Sequence, residues 1–356
     1  MRILFIQKRV NKGGAQHALY RLATQLARRD HEIVVLSAES GWLSEQLRQI
    51  PGVTSLQLPF PSARSWTGRL YRMRGWRHAV EHLLAEKSFV PQILHANEYL
   101  EAPYLIQLRK LWPGIPTLIH LRNAHMSEKD YRKYGCDNAD LRLLVSRSLQ
   151  KQCLPFLDAP NAILHDFIDD SELHTPHPPT SEFPHRILVL GNPHPAKGWD
   201  LLLEALARWP ESPIRELHFT GQPEPTRLRH LQRIAPKGLK MVFHPFVENL
   251  GLFARSFPLA VSPSLAESFG LANLETLAAG IPLLSSSTGL MPELLDEPWL
   301  FEPEVDDLLK HLKNLQRFWH TLDPDLDKIH ETIRREFTPA SIVPRLENYY
   351  QRLLGE

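Results

Sequence analysis

Cysteine is almost absent: Cys136 and Cys153 are the two in 356 residues. That excludes a disulfide-stapled scaffold and a cysteine-rich zinc site, and it fits a reducing cytoplasm. Long apolar runs are missing as well. None approaches the roughly 18–20 residues that a membrane-spanning helix requires. The opening Met1-Arg-Ile-Leu-Phe-Ile-Gln-Lys-Arg9 meets charge after a short apolar run, which predicts a first buried strand rather than a cleavable signal peptide. Neither charge sign is in excess, with 41 Lys+Arg against 40 Asp+Glu. No short repeat or low-complexity tract occurs. A composition of 43% apolar and 23% charged residues is ordinarily globular and excludes long disorder. The length suits two domains rather than one core.

The neutral total conceals an asymmetry. Residues 1–165 hold 23 basic and 13 acidic residues, or +10, whereas the remainder holds 18 and 27, or −9. Two domains with different partners are implied. A basic half suits nucleic acid, anionic lipid or an anionic sugar acceptor. No zinc-finger or RNA-recognition signature supports nucleic acid, which is set aside.

Short apolar runs bounded by polar residues read as buried parallel strands at Ile3–Ile6, Ile33–Leu36, Val53–Leu58, Gln92–Ala96, Thr117–Leu121 and Leu141–Val145, with Ile163–Leu164 as a further short one. Helical patterns lie between them, such as Ala15–Arg29 with Ala15, Leu19, Leu22, Ala23 and Leu26 on one face. His174–Pro184 carries four prolines in eleven residues and marks a stiff connector. The alternation then resumes at Arg186–Leu190, Glu216–Phe219, Lys240–Phe243, Leu259–Val261 and Ile281–Leu284. The expectation is an α/β chain of two doubly wound, Rossmann-like domains, 1–170 and 186–335, joined by a linker at 171–185, with ligand at their strand ends.

Three segments carry chemistry. After the first strand, Gly13-Gly14 before a helix lets backbone amides approach a phosphate, although two glycines also serve a plain turn. The dinucleotide glycine spacing is absent. The second half opens similarly, with Gly191 at a strand end and Lys197-Gly198 just before a helix. This arrangement suits a diphosphate and is not a Walker loop. The most informative stretch is Pro263-Ser-Leu-Ala-Glu267-Ser-Phe269-Gly270-Leu271-Ala-Asn-Leu-Glu275. Glu267 falls in a strand-to-helix loop, and Glu275 falls over a turn into a helix among Leu271, Leu274, Leu277 and Ala278. A carboxylate in that setting needs partners. Vicinal hydroxyls of a sugar and a ribose would supply them.

Here the chain resembles the family-4 glycosyltransferases of GT-B architecture, whose hallmark is a glutamate pair with seven residues between, as in Glu267 and Glu275. The likeness extends to Thr288-Gly-Leu-Met-Pro-Glu293, to Lys197-Gly198, to Gly13-Gly14 and to Ser146 after the Leu141–Val145 strand. It implies a nucleotide diphosphate sugar held mainly by the second domain and an acceptor held mainly by the first. It further implies ribose binding at Glu275, diphosphate binding at Lys197, and donor-sugar contact at Glu267 with backbone amides near Phe269 and Gly270. Retention of anomeric configuration without an obligatory metal or other cofactor is implied, as is a C-terminal helix near 339–354 returning to the first domain. Where the family often has an arginine after the glycine of the Gly191 segment, this chain has Asn192. His120 ends the Thr117–Leu121 strand where many members have a histidine facing the donor sugar, and Arg122 is an acceptor-side candidate. The pairs His120/His125 and His174/His177 lack further ligands at suitable spacing, so no metal site is expected.

Residues 64–77 hold Arg64, Arg69, Arg72, Arg74 and Arg77 around a stripe of Trp66, Leu70, Met73, Trp76, Val80 and Leu83. This reads as a helix packed on the first sheet, with a candidate contact to an anionic membrane surface as the sharper reading. The expected function is transfer of a sugar to a glycan or lipid-linked acceptor in cell-envelope polysaccharide or lipopolysaccharide assembly, in the cytoplasm or at the inner membrane face. The alternatives are a non-catalytic sugar-nucleotide-binding or assembly subunit, and a sugar-nucleotide epimerase on the same fold.

Overall fold

The computed structural model describes residues 1–61, 66–176, 180–245, 247–322 and 325–355, with side chains in the helix starting at Trp66 described from Met73 onward. The chain divides into two compact units, Met1–Phe167 with Pro339–Glu356, and Ile168–Thr338.

The first unit is built on seven strands: β1 (Arg2–Ile6), β2 (Glu32–Ser37), β3 (Val53–Gln57), β4 (Ile93–Ala96), β5 (Thr117–Leu121), β6 (Leu141–Leu144) and β7 (Asn161–Ile163). Their order is β3-β2-β1-β4-β5-β6-β7, and every neighbouring pair is parallel. Helices cover both faces of such a sheet, which is why Ile3–Ile6 and Ile33–Leu36 are apolar without alternation and fully buried. The C-terminal helix Pro339–Leu354 inserts Ile342, Val343, Leu346 and Tyr350 into this unit's core. Glu347 on the same helix pairs with Arg29 at 2.7 Å and with His31 at 2.7 Å.

The second unit has six parallel strands: β8 (Arg186–Val189), β9 (Glu216–Phe219), β10 (Lys240–Phe243), β11 (Ala260–Ser262), β12 (Leu283–Ser286) and β13 (Leu300–Phe301). They are ordered β10-β9-β8-β11-β12-β13. Strand order reverses between β1 and β4 in one unit and between β8 and β11 in the other. In open α/β sheets the carboxyl ends at such a reversal diverge and leave a crevice for ligand.

The stiff connector packs on the second unit: His174 N donates to Ala278 O at 2.9 Å, and Arg255 donates to Thr175 O at 2.9 Å. Proline excludes a strand or helix there but does not prevent packing. Residues 177–179 of that segment, and with them the His174/His177 pair, lie outside the described residues. Strand β13 was not anticipated, because two residues carry no period to read. Among the described residues, no helix is long and apolar enough to cross a membrane. Both cysteines are buried and free, and burial raises their thiols, to about 12 for Cys136 and about 11 for Cys153.

Candidate active site

In the second unit the sequence candidates gather at the carboxyl ends of β8 and β11. After β8 the chain turns at Gly191 (φ 106), whose amide donates to Thr220 Oγ1 at 3.0 Å. It then passes Asn192 and reaches the single turn Pro195–Lys197. Lys197 Nζ lies 2.5 Å from Glu267 Oε1, which also accepts from Ser264 Oγ at 2.8 Å. Among the described residues both bonds land on Oε1, and Oε2 of Glu267 can accept from a hydroxyl. With side-chain exposures of 24% and 14%, the pair is neither solvated nor sealed. A cation and a carboxylate are thus held together where an anionic, hydroxyl-rich ligand can reach both.

Backbone fit makes this arrangement possible. Gly198 has φ 66, and a Cβ there would stand 1.7 Å from Pro263 O. Only glycine lets the Lys197 loop lie this close to the loop carrying Glu267. The two loops are joined further by Leu265 N donating to Ala196 O at 2.8 Å. Beyond Glu267, the helix Leu271–Ala278 begins at Gly270, which has no side chain to cap it, and the positive end of the helix dipole lies at this loop. Phe269, 3% exposed, anchors the loop beneath it. Its carbonyl accepts from Leu290 N at 2.8 Å, and a Cβ on Gly289 would come within 2.5 Å of the same oxygen. The Thr288–Glu293 motif therefore straps the loop of Glu267 in place. Glu275 lies in the second turn, half-buried like Leu271, with Leu274, Leu277 and Ala278 fully buried beside it.

The neutral Asn192 has a local role: its Oδ1 accepts from His194 N at 3.1 Å. A basic residue that sequence reasoning missed reaches the same loop. Arg227, on the helix Pro225–Ile234, donates to Pro193 O at 3.2 Å. Its guanidinium is held by Asp200, which also binds His230 at 2.6 Å. Nothing in local sequence ties Arg227 to Asp200; only the packing of two helices does.

In the first unit, Gly13 caps the helix Gly14–Ala27 in extended conformation, again without a side-chain cap, and a Cβ on Gly14 would meet nothing within 4 Å. The turn is open toward solvent. His120, at the end of β5, is 1% exposed, and its Nδ1 lies 2.9 Å from His95 Nε2. His95 Nδ1 in turn lies 2.6 Å from Tyr350 Oη. Burial, then the Arg122 cation, pushes both imidazoles down, His95 to about 3 and His120 well below its ordinary value. Arg122 is not an open cation. It holds both Asp166 oxygens at 2.5 Å and donates to Asn97 O at 3.1 Å, so it braces the carboxyl edge of the sheet. Ser146 is also structural in position: its hydroxyl caps the helix Arg147–Cys153 by accepting from Leu149 N at 3.1 Å. Among the described residues, no group of three or more His, Cys, Asp and Glu side chains is placed to hold a metal ion.

The basic segment forms the helix Trp66–Glu86. Met73, Trp76 and Val80 are buried, as is Leu84 in place of the expected Leu83, and Arg74 is exposed. Arg64 and the side chains of Trp66, Arg69, Leu70 and Arg72 lie outside the described residues.

Comparison with known proteins joins the two halves. Residues 13–162 match the family described as glycosyl transferase 4-like domain, and residues 184–317 match glycosyl transferases group 1. The D-inositol 3-phosphate glycosyltransferase of Geodermatophilus obscurus is 38% identical over 117 residues, which is 29% of this chain and 26% of that enzyme. The O-antigen biosynthesis glycosyltransferase WclY of Escherichia coli is 25% identical over 165 residues, 45% of this chain and 44% of WclY. These matches thus span less than half of either relative. The MMP alpha-(1->4)-mannosyltransferase of Mycolicibacterium hassiacum is 22% identical over 82% of both chains. Among solved structures, Anabaena HepE in complex with UDP-glucose superposes with a TM-score of 0.78 at 17% identity, covering 99% of this chain and 100% of that one. With two family matches in chain order, two doubly wound parallel sheets and the glutamate pair in its loop and helix, the chain belongs to the GT-B glycosyltransferases of the family-4-like kind.

Proposed function

We propose that this protein transfers a hexose-like residue from a nucleotide diphosphate sugar to a glycan or lipid-linked acceptor, with retention and without an obligatory metal, in cell-envelope polysaccharide or lipopolysaccharide assembly. The observation that carries the donor reading is the Lys197–Glu267 pair, set at the strand-order reversal of the second unit with Glu275 in the helix that follows. Lys197 and the helix start at Gly270 would neutralise the diphosphate, Oε2 of Glu267 would accept from a sugar hydroxyl, and Glu275 would accept from the ribose. In a retaining transfer of this kind the leaving phosphate would take the acceptor proton, so charge stabilisation at Lys197 is the main task of the protein. The WclY match supports the envelope context, and HepE, solved with UDP-glucose, supports the donor class. The basic first half, with 23 Lys+Arg against 13 Asp+Glu in residues 1–165, supports work at an anionic surface or on an anionic acceptor.

Thermal-shift measurement against UDP-, GDP- and ADP-sugars tests the reading, because a ligand bound by the native state alone raises stability by mass action. A shift with one base, lost in Lys197→Ala, is expected. No shift with any nucleotide sugar at millimolar concentration would overturn it. Release of a free sugar isomer without an acceptor would identify an epimerase instead.

A further inference from the structure

We propose that Tyr350, on the C-terminal helix, fixes the tautomer of His120 through His95, so that His120 presents its Nε2–H as a hydrogen-bond donor at the carboxyl edge of the first sheet. Its kinetic consequence rests on the proposed transfer reading; its structural content does not.

The geometry begins with strand register. His95 on β4 sits opposite Leu118 on β5, so His120, two residues further along, faces the same side one step nearer the carboxyl edge. The rings lie with centroids 4.8 Å apart, and Phe5 covers His95 at 4.8 Å from β1. The helix Pro339–Leu354 supplies Tyr350, fully buried, whose hydroxyl has His95 as its one partner among the described residues. The result is a three-membered relay, Tyr350–His95–His120, with bonds of 2.6 and 2.9 Å.

Burial first, and then the Arg122 guanidinium, favours the neutral form of both imidazoles. A neutral imidazole has one N–H and one lone pair, so the relay can run in only two orders. In one order His120 donates from Nδ1 to His95, and His95 donates to the Tyr350 oxygen. The phenolic proton is then buried with no acceptor, which is costly. In the other order Tyr350 donates to His95 Nδ1, and His95 Nε2–H donates to His120 Nδ1. Every donor inside the relay is then satisfied, and the one spare N–H is that of His120 Nε2, which is not among the sealed, unpartnered polar atoms of the described residues, whereas the Tyr350 hydroxyl is fully buried. This second order leaves the proton of His120 on Nε2, an atom that makes no side-chain hydrogen bond among the described residues. His120 is thus a donor toward a ligand oxygen rather than a base. Tyr350 is a positioning residue, since it acts only through His95.

The test uses the full chain, 15N-labelled, with long-range imidazole 1H–15N spectra of the parent, Tyr350→Phe and His95→Gln. Phe keeps the ring and its packing, so folding is preserved. In the parent, His120 should appear as the neutral Nε2–H tautomer, and in Tyr350→Phe it should become a mixture of both tautomers. Finding His120 as Nδ1–H or as imidazolium in the parent at neutral pH would overturn the proposal. So would unchanged tautomer signals in Tyr350→Phe. In a transfer assay Tyr350→Phe should lower kcat several-fold, up to about tenfold, with donor KM unchanged. His120→Gln, whose amide nitrogen can replace Nε2–H, should retain more activity than His120→Asn, and adding Tyr350→Phe to His120→Gln should cost nothing more. Equal cost of Tyr350→Phe in both backgrounds would refute the coupling. The expected spectra in a protein without transfer activity would sustain the relay and sink only the proposed function.

Discussion

Replacing Gly198 by alanine puts the contact between the two second-unit loops under direct strain. The new Cβ would stand 1.7 Å from Pro263 O and 2.7 Å from Pro263 C, both backbone atoms with no side chain to swing aside. The residue also holds φ 66, where an L-residue costs about 1–2 kcal/mol. Forced repacking adds roughly 1–3 kcal/mol, so the expected loss is about 2–5 kcal/mol. The strain falls where Leu265 N meets Ala196 O and where Lys197 meets Glu267, so nucleotide-sugar affinity should fall with stability. Urea unfolding of the variant beside its parent gives the first quantity, and ligand titration gives the second. Gly14→Ala is the control: nothing lies within 4 Å of its Cβ, and helix propensity favours alanine. It should change stability by less than about 1 kcal/mol, or improve it. If Gly198→Ala unfolds within about 0.5 kcal/mol of the parent, an ordinary surface effect, the loops are not apposed as described and the argument for a preformed site fails.

Glu275→Gln should weaken donor binding by about 1–3 kcal/mol with the fold intact, the range for a charged hydrogen bond; unchanged affinity by calorimetry would remove the ribose assignment. Lys197→Ala should impair both donor KM and kcat, whereas Glu267→Gln should lower kcat more than nucleotide affinity, because free nucleotide lacks the sugar; equal effects on nucleotide binding would contradict that division. Stability should fall as pH drops below about 6.5. His17 is held down to about 4, by burial first and then by Arg21 and Lys12, and His95 to about 3, so the unfolded chain binds more protons in that window. Each such histidine contributes a slope of up to about 1.4 kcal/mol per pH unit, with full stability kept above the unfolded value; a flat urea midpoint from pH 7 to 5 would speak against the buried neutral rings. Binding to anionic vesicles should weaken from low to high salt and drop when Arg69, Arg72 and Arg74 become Gln; equal partitioning onto neutral vesicles would assign the helix Trp66–Glu86 to packing alone.

Strands were legible because a sheet covered on both faces leaves a local mark: a short unbroken apolar run ended by polar residues. Ile3–Ile6 and Ile187–Leu190 both show it. The loop and helix of the glutamate pair were legible for a similar reason, since Gly270 starts a helix and places Glu275 one turn inside it whatever the rest of the chain does. These features depend on neighbours within a few residues. What tertiary structure decided were pairings between distant positions. Lys197 meets Glu267 across 70 residues, Arg122 meets Asp166 across 44, and His95 meets Tyr350 across 255. No local pattern contains such a distance, because it follows from strand order and from where the last helix docks. His120 shows the division: its place at a strand end was readable from five residues, but its burial, its neutral ring and the side of the ring that holds the proton depend on two groups brought there by the fold.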